Sequence, residues 1–404
     1  MSEILISDYR FETNKLSTSW DEIITGTGES NWNIGGYVEM KVPNENDRVV
    51  RQTKQYFSST TYKYKKCIFT VILNLINNTG YTSRIGSYDD HNDKIIDNGG
   101  AGFFFEYTNN ILKIGIRYGT INNGTDTLIS QSNFNVNNLI RNSHISINEW
   151  TKIYTYEIIF NNIGMIEWAI YLDGERILLH KEQDISHILN TLPRYTLPLR
   201  LEIKKNINDS GVSIGEMRQF NTGIYYETGY INTGSLSTTL IDNKCQLKHL
   251  STINQLTFNI NTTTYKPTFS VQLKTAYIRN PIISYEVLFM TQKESPFIYA
   301  IVRNAIFTNI QPSWVNPGNN YRLEYDITAD LVDINNLDII YEEYVNINGG
   351  TQIQNSKFNN SYTICFPAIT SNIQGNADVF TILVKKLTPL NGIVSFNLRW
   401  IENN

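Results

Sequence analysis

Acidic side chains are concentrated in one loop of the sequence, where they could bind a metal ion. The nine residues DDHNDKIID carry four aspartates, which are Asp89, Asp90, Asp93 and Asp97. Clusters of carboxylate oxygens are the ligands that Ca²⁺ prefers. The spacing matches no known metal-loop signature, and an acidic loop is more commonly only a solvated surface. Ca²⁺ is therefore the one cofactor the sequence suggests, beside the alternative of a loop without metal and a protein without cofactor.

Three glutamates on predicted strands are the candidates for glycoside hydrolysis, namely Glu106, Glu157 and Glu167. That chemistry needs two carboxyl groups facing the same sugar. A pair two residues apart on one strand would share a face of the sheet. FFFEYTN, TYEIIF and IEWAIY all lack such a pair. We therefore expect each glutamate to pair with a lysine or arginine, and we predict that the protein is not an enzyme.

An exposed tryptophan could instead stack on a sugar ring. Trp314 lies in the turn-rich segment QPSWVNPGNN, which predicts a loop. Trp168 and Trp400 alternate with apolar neighbours, so core positions are expected for them. Trp314 is thus the tryptophan predicted to contact a ligand.

The elements that position these residues are predicted to be β-strands. Between residues 101 and 180, short runs of β-branched and aromatic residues alternate with turn signals such as Asn109-Asn110 and Asp173-Gly174. Asp-Gly between alternating apolar runs is a strong hairpin signal. Similar runs recur after residue 267, and no convincing amphipathic helix is found. The sequence predicts an all-β chain with two β-sandwich, jelly-roll-like domains.

The 404 residues are enough for more than one domain. We predict an N-terminal arm or set of edge strands over residues 1–40, and a β-sandwich over residues 41–210. A transitional β segment over 211–266 and a C-terminal β-sandwich over 267–404 are expected to follow. The Asn-, Ser- and Gly-containing stretch 206–211 is the predicted linker.

Composition argues against several classes of function. A net charge of −4 disfavours nucleic acid as a partner. No apolar run reaches the ~18 residues that a membrane span needs, and no signal peptide is recognised. The three cysteines are widely separated, so reduced structural thiols and synthesis in the cytoplasm are expected.

Several motifs occur in an order that resembles a known family. They are RVVRQTKQYF, SRIGSYDD, GFFFEYTNN and YEIIFNNIGMIEWAIYLDGERILLH, then PFIYAIVRNAIFTNIQPSWVNPGNNYRLEYDITA and SFNLRWIE. Together they resemble a family of virion proteins of giant DNA viruses and tailed phages, over most of residues 45–404. The DDHNDKIIDNGGAG loop is longer than the family pattern, and Phe134 stands where the family has Trp.

The resemblance implies a first domain similar to laminin-G or concanavalin-A-like sandwiches and a second domain typical of capsid-attached proteins. The function it implies is a non-enzymatic virion structural protein, either capsid-associated or part of a surface appendage. The expected location is the virion, after synthesis in the host cytoplasm. Other virion proteins and further copies of the chain, most simply in a trimer, are the expected partners. The alternative is a lectin-like protein for host attachment, with a host glycan as its partner.

Overall fold

A computed structural model gives the architecture of two compact units, Met1–Ile231 and Asn232–Asn404. The residues described are 3–14, 16, 19–58, 64–75, 80–89, 101–118, 125–139, 150–160, 165–183, 196–206, 214–227, 245–251, 258–260, 264–277, 285–291, 296–308, 314–317, 321–328, 330–331, 337–345, 353–356, 369, 371–387 and 392–403. Within these ranges the regular elements are strands and two short 3-10 turns, at Gln131–Asn133 and Thr275–Tyr277. No helix among them is long and apolar enough to cross a membrane.

The first unit is built from seventeen strands within its described residues. They are β1 (Glu3–Arg10), β2 (Trp20–Thr25), β3 (Glu29–Asn33), β4 (Tyr37–Val42), β5 (Arg48–Thr53), β6 (Phe57–Ser58), β7 (Lys65–Ile72), β8 (Tyr81–Tyr88), β9 (Gly102–Thr108), β10 (Ile111–Tyr118), β11 (Thr125–Ser130), β12 (Tyr154–Phe160), β13 (Ile166–Leu172), β14 (Glu175–Glu182), β15 (Thr196–Leu197), β16 (Leu199–Lys205) and β17 (Gly215–Glu227). The β-branched and aromatic content of these segments is typical of strands.

These strands form two large antiparallel sheets. The eight-stranded sheet has the order β14-β13-β12-β7-β17-β4-β3, with β1 also paired to β17. The seven-stranded sheet has the order β11-β10-β9-β8-β16-β5-β2, and β6 pairs separately with β15. Strands distant in sequence therefore become neighbours: β16 lies between β8 and β5.

The hairpin turns follow the sequence signals. Asp173 and Gly174 have φ values of 51° and 85°, and Asn109 and Asn110 have 50° and 61°. Two successive residues with positive φ define the type I′ turn, whose twist suits a two-residue hairpin. The turns joining β13 to β14 and β9 to β10 are therefore those predicted from sequence.

Alternation along the strands separates an inner face from an outer face. On β9, Phe103, Phe105 and Tyr107 point into one hydrophobic core shared with the eight-stranded sheet. Phe103 and Phe105 contact Phe160 and Tyr156 of β12, with ring centroids 5.1 Å apart in each pair. The side chains of Phe104 and Glu106 consequently lie on the opposite, outer face.

The N-terminal residues are part of this sandwich. β2 and β3 are the outer strands of the two sheets, and β1 pairs with β17. Phe11 and Trp20 are buried in the core, and the indole N–H of Trp32 donates to the carbonyl oxygen of Phe11 at 2.7 Å. The finer division at residues 40, 210 and 266 stays a prediction.

The second unit is also composed of strands: β18 (Cys245–Ser251), β19 (Phe258–Ile260), β20 (Lys266–Leu273), β21 (Tyr285–Thr291), β22 (Phe297–Arg303), β23 (Phe307–Thr308), β24 (Leu323–Asp326), β25 (Asp330–Leu331), β26 (Asp338–Val345), β27 (Ile353–Ser356), β28 (Phe380–Lys386) and β29 (Gly392–Asn403). Five strands form one sheet, β18-β29-β21-β27 with β19 also on β29, and five form another, β24-β20-β28-β22-β26. The predicted all-β class, with β-sandwich folds, is confirmed.

Candidate ligand-binding face

The predicted metal loop begins at the end of β8, where Asp89 is buried. Its backbone N–H donates to the carbonyl oxygen of Ala101 at 2.8 Å, and its own carbonyl oxygen accepts from Arg117 Nη1 at 2.8 Å. Asp90, Asp93 and Asp97 lie outside the described residues. Among the residues described, no group of three His, Cys, Asp or Glu side chains could hold a metal ion. The Ca²⁺ site stays a prediction.

The three candidate glutamates lie on strands, and each is held by cationic side chains as predicted. Glu157 and Glu167 share Arg176 on the outer face of the eight-stranded sheet. Glu106, on the outer face of the seven-stranded sheet, pairs with Arg84 Nη2 at 2.6 Å and with Lys113 Nζ at 3.5 Å. Both oxygens of Glu106 are therefore engaged by cations.

Trp314 lies in the second unit, where it is partly buried next to the isolated bridge between Val315 and Tyr325. The neighbouring Asn316 accepts a hydrogen bond from Lys274 Nζ at 2.6 Å. Trp168 is fully buried in the core of the first unit, as predicted. The contact of Trp314 with a ligand stays a prediction.

A denser cluster of polar and aromatic side chains covers the outer face of the seven-stranded sheet. We call it the arginine–aromatic face; it crosses six adjacent strands and consists of Arg48, Gln52, Arg84, Tyr88, Phe104, Glu106, Lys113, Arg117, Asp126, Arg200 and Glu202. Successive side chains of a strand point to opposite faces of the sheet. Because the core residues of these strands point inward, the residues that alternate with them point to the outer face.

Two aromatic rings form the floor of the arginine–aromatic face. Phe104 and Tyr88 are both 0% exposed, yet neither belongs to the core between the sheets. Their ring centroids are 5.2 Å apart. The rings are covered by guanidinium groups: Arg84 Cζ lies 4.9 Å from the Phe104 centroid, and Arg200 Cζ lies 5.5 Å from the Tyr88 centroid. Arg117 bridges both rings at 5.6 and 5.3 Å, which is cation–π geometry.

Glycines on the neighbouring strands give the rings room to lie against the sheet. Phe104 is paired with Gly86 on β8 and with Gly115 on β10, and Tyr88 is paired with Gly102 on β9. A Cβ atom at Gly115 would lie 2.2 Å from Phe104 Cζ, and one at Gly102 would lie 2.5 Å from Tyr88 Cβ. Only glycine at these positions therefore leaves room for the two rings.

Ion pairs fix the guanidinium groups above the rings. Arg117 binds Asp126 through two bonds, Nε to Oδ1 at 2.7 Å and Nη2 to Oδ2 at 3.0 Å. Arg84 Nη1 approaches the same carboxylate at 3.2 Å. Paired planar groups of this kind hold an arginine in one orientation.

The second half of the network lies on β16 and β5. Glu202 accepts from Arg48 Nε at 2.9 Å and lies 3.6 Å from Arg200 Nη2. Arg200 Nη1 also donates to Gln52 Oε1 at 2.9 Å, and Gln52 Nε2 donates to Tyr56 Oη at 3.2 Å. Each of the three carboxylates in the face is thus shared by two cationic side chains.

The Tyr88 hydroxyl lies inside this network but takes no part in its hydrogen bonds. It is buried and has no hydrogen-bond partner. Burial, and then the nearby negative charge of Glu202, raise the pKa of Tyr88, so the group stays a protonated donor at neutral pH. Buried polar groups are almost always hydrogen-bonded, and an exception calls for a physical explanation.

Sequence reasoning identified one member of this face, Glu106, and missed the others. The usable signal was the strand SRIGSY, in which arginine, glycine and tyrosine occupy alternate positions 84, 86 and 88. The spacing of two places these three residues on one face of the strand.

Comparisons with known proteins identify similar structures but no family. No family model matches the chain, and no curated protein matches it. A legume lectin-like domain from Entamoeba histolytica is 13% identical, over 57% of this chain and 100% of that chain, with a TM-score of 0.35. The VIP36 exoplasmic/lumenal domain with Ca²⁺ and mannose bound is 11% identical over 52% and 84%, with a TM-score of 0.32. A family 7 alginate lyase with bound substrate is 7% identical over 53% and 95%, with a TM-score of 0.35.

These solved structures have TM-scores of 0.32 to 0.35 and identities of 7% to 13%. They are too distant to transfer a ligand or an activity to this chain. Any function has to rest on the side chains of the chain itself.

Proposed function

We propose that this chain is a carbohydrate-binding protein without catalytic activity, and that the arginine–aromatic face of the first unit is its binding surface. The observation that carries the proposal is the placement of Phe104 and Tyr88 outside the core, beneath three guanidinium groups. Planar guanidinium donors that are held in one orientation over the rings provide directional hydrogen bonds to a polar ligand.

The rim of the face offers the side chains that a sugar would meet first. Arg84, Lys113 and Asp126 keep 13%, 21% and 17% of their side-chain surface exposed. The ion pairs described above hold the donors and acceptors of these side chains over β9 and β10. A surface with prearranged donors binds hydroxyl-rich ligands with little loss of side-chain entropy.

Catalysis is not part of the proposal, because the carboxylates of this face are engaged in ion pairs. Glu106 is held by Arg84 and Lys113, and Asp126 by Arg117 and Arg84. General acid–base chemistry needs a carboxyl group that can reach the proton of the substrate. Binding is the simpler role for these groups.

We further propose that the binding takes place on a virion, as the ordered resemblance to virion proteins implies. In this setting the chain is a capsid-associated or appendage component and contacts other virion proteins. It would also associate with two further copies of itself, since closed symmetric oligomers are the common form of such assemblies. A host glycan would then be the ligand of the arginine–aromatic face.

A glycan array probed with the full chain tests the carbohydrate proposal. We expect binding that is reduced at least tenfold by Arg84→Gln and unchanged by Arg176→Gln. Arg176 is the matched control, because it is also a partly exposed arginine held by two carboxylates, but on the opposite sheet. Absence of binding to every glycan, or equal loss in both variants, would count against the proposal.

The virion proposal has its own test. Purified particles should contain the chain in stoichiometric amounts, and the two units should fit features of the particle density. A particle preparation that lacks the chain, from a source that expresses it, would refute the virion role and leave the carbohydrate proposal standing.

A further inference from the structure

A short segment of chain seals one edge of the eight-stranded sheet in the first unit. β14 is the outermost strand at that edge. Residues 134–139, which we call the edge strap, bond to the backbone of this strand. The backbone N–H groups of Val136 and Asn137 both donate to the carbonyl oxygen of Leu179, at 3.2 and 3.0 Å. Proteins commonly cover an unpaired strand edge in this way, and the edge strap takes the place of a further strand.

Asn135 binds β14 with its side chain as well. Its Nδ2 donates to the carbonyl oxygen of Lys181 at 2.8 Å, and its Oδ1 accepts from the backbone N–H of Lys181 at 3.0 Å. The amide thus makes the pair of hydrogen bonds that a residue of a neighbouring antiparallel strand would make. Phe134 and Leu139, at the two ends of the edge strap, are buried in the core. The edge strap is therefore held by polar contacts to β14 between two apolar anchors.

A further contact of the edge strap is to a histidine, and it fixes the position of a proton. The backbone N–H of Asn135 donates to His180 Nδ1 at 3.1 Å. A backbone N–H can only donate, so Nδ1 carries no hydrogen while this bond exists. The proton of the neutral ring is then on Nε2, which lies 2.9 Å from Glu182 Oε1 and donates to it. The closed edge strap thus requires a neutral imidazole in one tautomer.

Glu182 is the charged side chain that contacts His180 within the described residues. It lies on the same strand, and a carboxylate at this distance stabilises a positive charge on the ring. The edge strap has no charged side chain, and β13 presents Trp168, whose ring centroid is 5.9 Å from that of His180. The neighbouring Lys181 and Glu167 pair with each other at 3.1 Å. Histidine changes its charge between about pH 5 and pH 8, so mild acidification is the condition under which the ring would gain a second proton.

A second proton breaks the contact between His180 and the edge strap. Protonated Nδ1 is itself a donor, so it would face the backbone N–H of Asn135 donor to donor. The histidine is 3% exposed, and Phe134 packs against it with ring centroids 6.0 Å apart, so the charge has little access to water while the strap is closed. A buried charge and an unsatisfied donor are both costly. Lifting of the edge strap exposes the ring and removes both costs.

We propose that the edge strap is a pH-sensitive latch, which is closed when His180 is neutral and open when it is protonated. Opening uncovers the backbone groups of Leu179 and Lys181 that the strap now binds. β14 then becomes an unpaired edge, the kind of surface that accepts a strand from another chain. The latch lies on the eight-stranded sheet and the arginine–aromatic face on the seven-stranded sheet, so the latch is independent of the proposed carbohydrate function.

Hydrogen–deuterium exchange of the full chain tests the latch. Protection factors for the amides of residues 135–137, corrected for the intrinsic pH dependence of exchange, should fall at least about tenfold between about pH 7.5 and about pH 5. His180→Asn is the decisive variant, because its side-chain oxygen can accept from Asn135 in place of Nδ1 but does not titrate. Its protection factors should be equal at the two pH values. His249→Asn, on β18 of the second unit, is the matched control and should show the same fall as the native chain.

Equal protection at the two pH values in the native chain, or the same loss in His180→Asn, would overturn the proposed latch. Glu182→Gln is a second test, which decides the matter even if His180→Asn does not fold. The substitution removes the charge that stabilises the protonated ring, so the midpoint of opening should move to lower pH. A midpoint that stays in place would also overturn the latch. Each of these outcomes leaves the carbohydrate proposal untouched, because that proposal is tested by glycan binding.

Discussion

Phe104 lies against Gly115 of the adjacent strand, so closely that a Cβ atom at position 115 would be 2.2 Å from Phe104 Cζ. The contact is possible because the two residues are cross-strand partners on the same face. It places an aromatic ring flat on the sheet and allows Arg84 and Arg117 to stack above it. The geometry of the binding face thus depends on a residue that has no side chain.

We predict that Gly115→Ala destabilises the first unit by about 1–3 kcal/mol, because the added methyl group displaces Phe104. Chemical denaturation followed by tryptophan fluorescence measures this change. In a Phe104→Ala background the same substitution should cost much less, since the clashing ring is gone. A cost that is equal in the two backgrounds would show that the contact with Phe104 is not its cause.

The sequence was sufficient to predict the strands and turns, but not which strands pair with one another. The strand run at Phe103–Tyr107 and the Asp173-Gly174 turn are local patterns, and both were predicted. Arg84, Arg117 and Arg200 lie on β8, β10 and β16, and their meeting depends on the insertion of β16 between β8 and β5. Such long-range pairing leaves no periodicity in a single sequence, so the arginine–aromatic face was missed apart from Glu106.

The predicted metal loop shows a second limit of prediction from the sequence. The sequence predicts a ligand role for the carboxylate of Asp89, whereas the structure shows its backbone hydrogen-bonded to Ala101 and Arg117. A composition-based prediction counts side-chain oxygens and cannot anticipate which of them a neighbouring strand will bury. The Ca²⁺ prediction is still to be tested, by calcium titration of the full chain.

A fully buried lysine makes the stability of the first unit depend on pH. Lys65 Nζ donates to the carbonyl oxygens of Phe57 at 3.0 Å and Leu197 at 3.3 Å, and to Ser87 Oγ at 3.2 Å. Burial lowers the pKa of Lys65 to about 8. The unfolded chain, in which the pKa is near its ordinary value, therefore binds the proton more strongly than the folded chain.

The free energy of unfolding should consequently rise with pH above about pH 8, toward the ordinary pKa of lysine. The expected gain between pH 7 and pH 9 is about 1 kcal/mol. Urea denaturation at the two pH values, for the native chain and for Lys65→Met, isolates the effect because the variant lacks this group. An identical pH dependence in both proteins would contradict the assignment.

Asp47 gives a pH dependence of the same sign in the acidic range. Its buried carboxylate accepts from the backbone N–H groups of Asn44 at 2.7 Å and Thr27 at 2.8 Å, and from Thr27 Oγ1 at 2.8 Å. Burial acts to raise the pKa of Asp47, but these hydrogen bonds outweigh it and the pKa is lowered. The stabilisation is therefore present above the ordinary pKa of aspartate and is lost as the pH falls through the lowered value.

We predict that Asp47→Ala lowers the free energy of unfolding at pH 7 by roughly 2 kcal/mol, since it leaves two backbone donors without their acceptor. The difference from the native chain should shrink as the solution is acidified. Thermal unfolding between pH 7 and pH 3 measures it. A difference that stays constant over this range would mean that the charge of Asp47 does not contribute.

The last prediction concerns whether the N-terminal residues belong to the sandwich. Phe11 is 0% exposed and packs against Trp20, with ring centroids 6.0 Å apart. Arg51 on β5 lies over both rings, with its Cζ 5.0 Å from Phe11 and 5.4 Å from Trp20. An arm that ordered only against a virion partner would not supply such core contacts.

Phe11→Ala should therefore lower the stability of the isolated chain by about 3–5 kcal/mol, the usual effect of removing a buried phenylalanine. Ile34→Ala is the control, because Ile34 lies in the same N-terminal region but is 90% exposed. Its effect should fall within about 0.5 kcal/mol of zero. If both variants melt at the native temperature while Phe11→Ala is lost from particles, these residues act in assembly, and their contacts with Trp20 and Arg51 do not stabilise the fold.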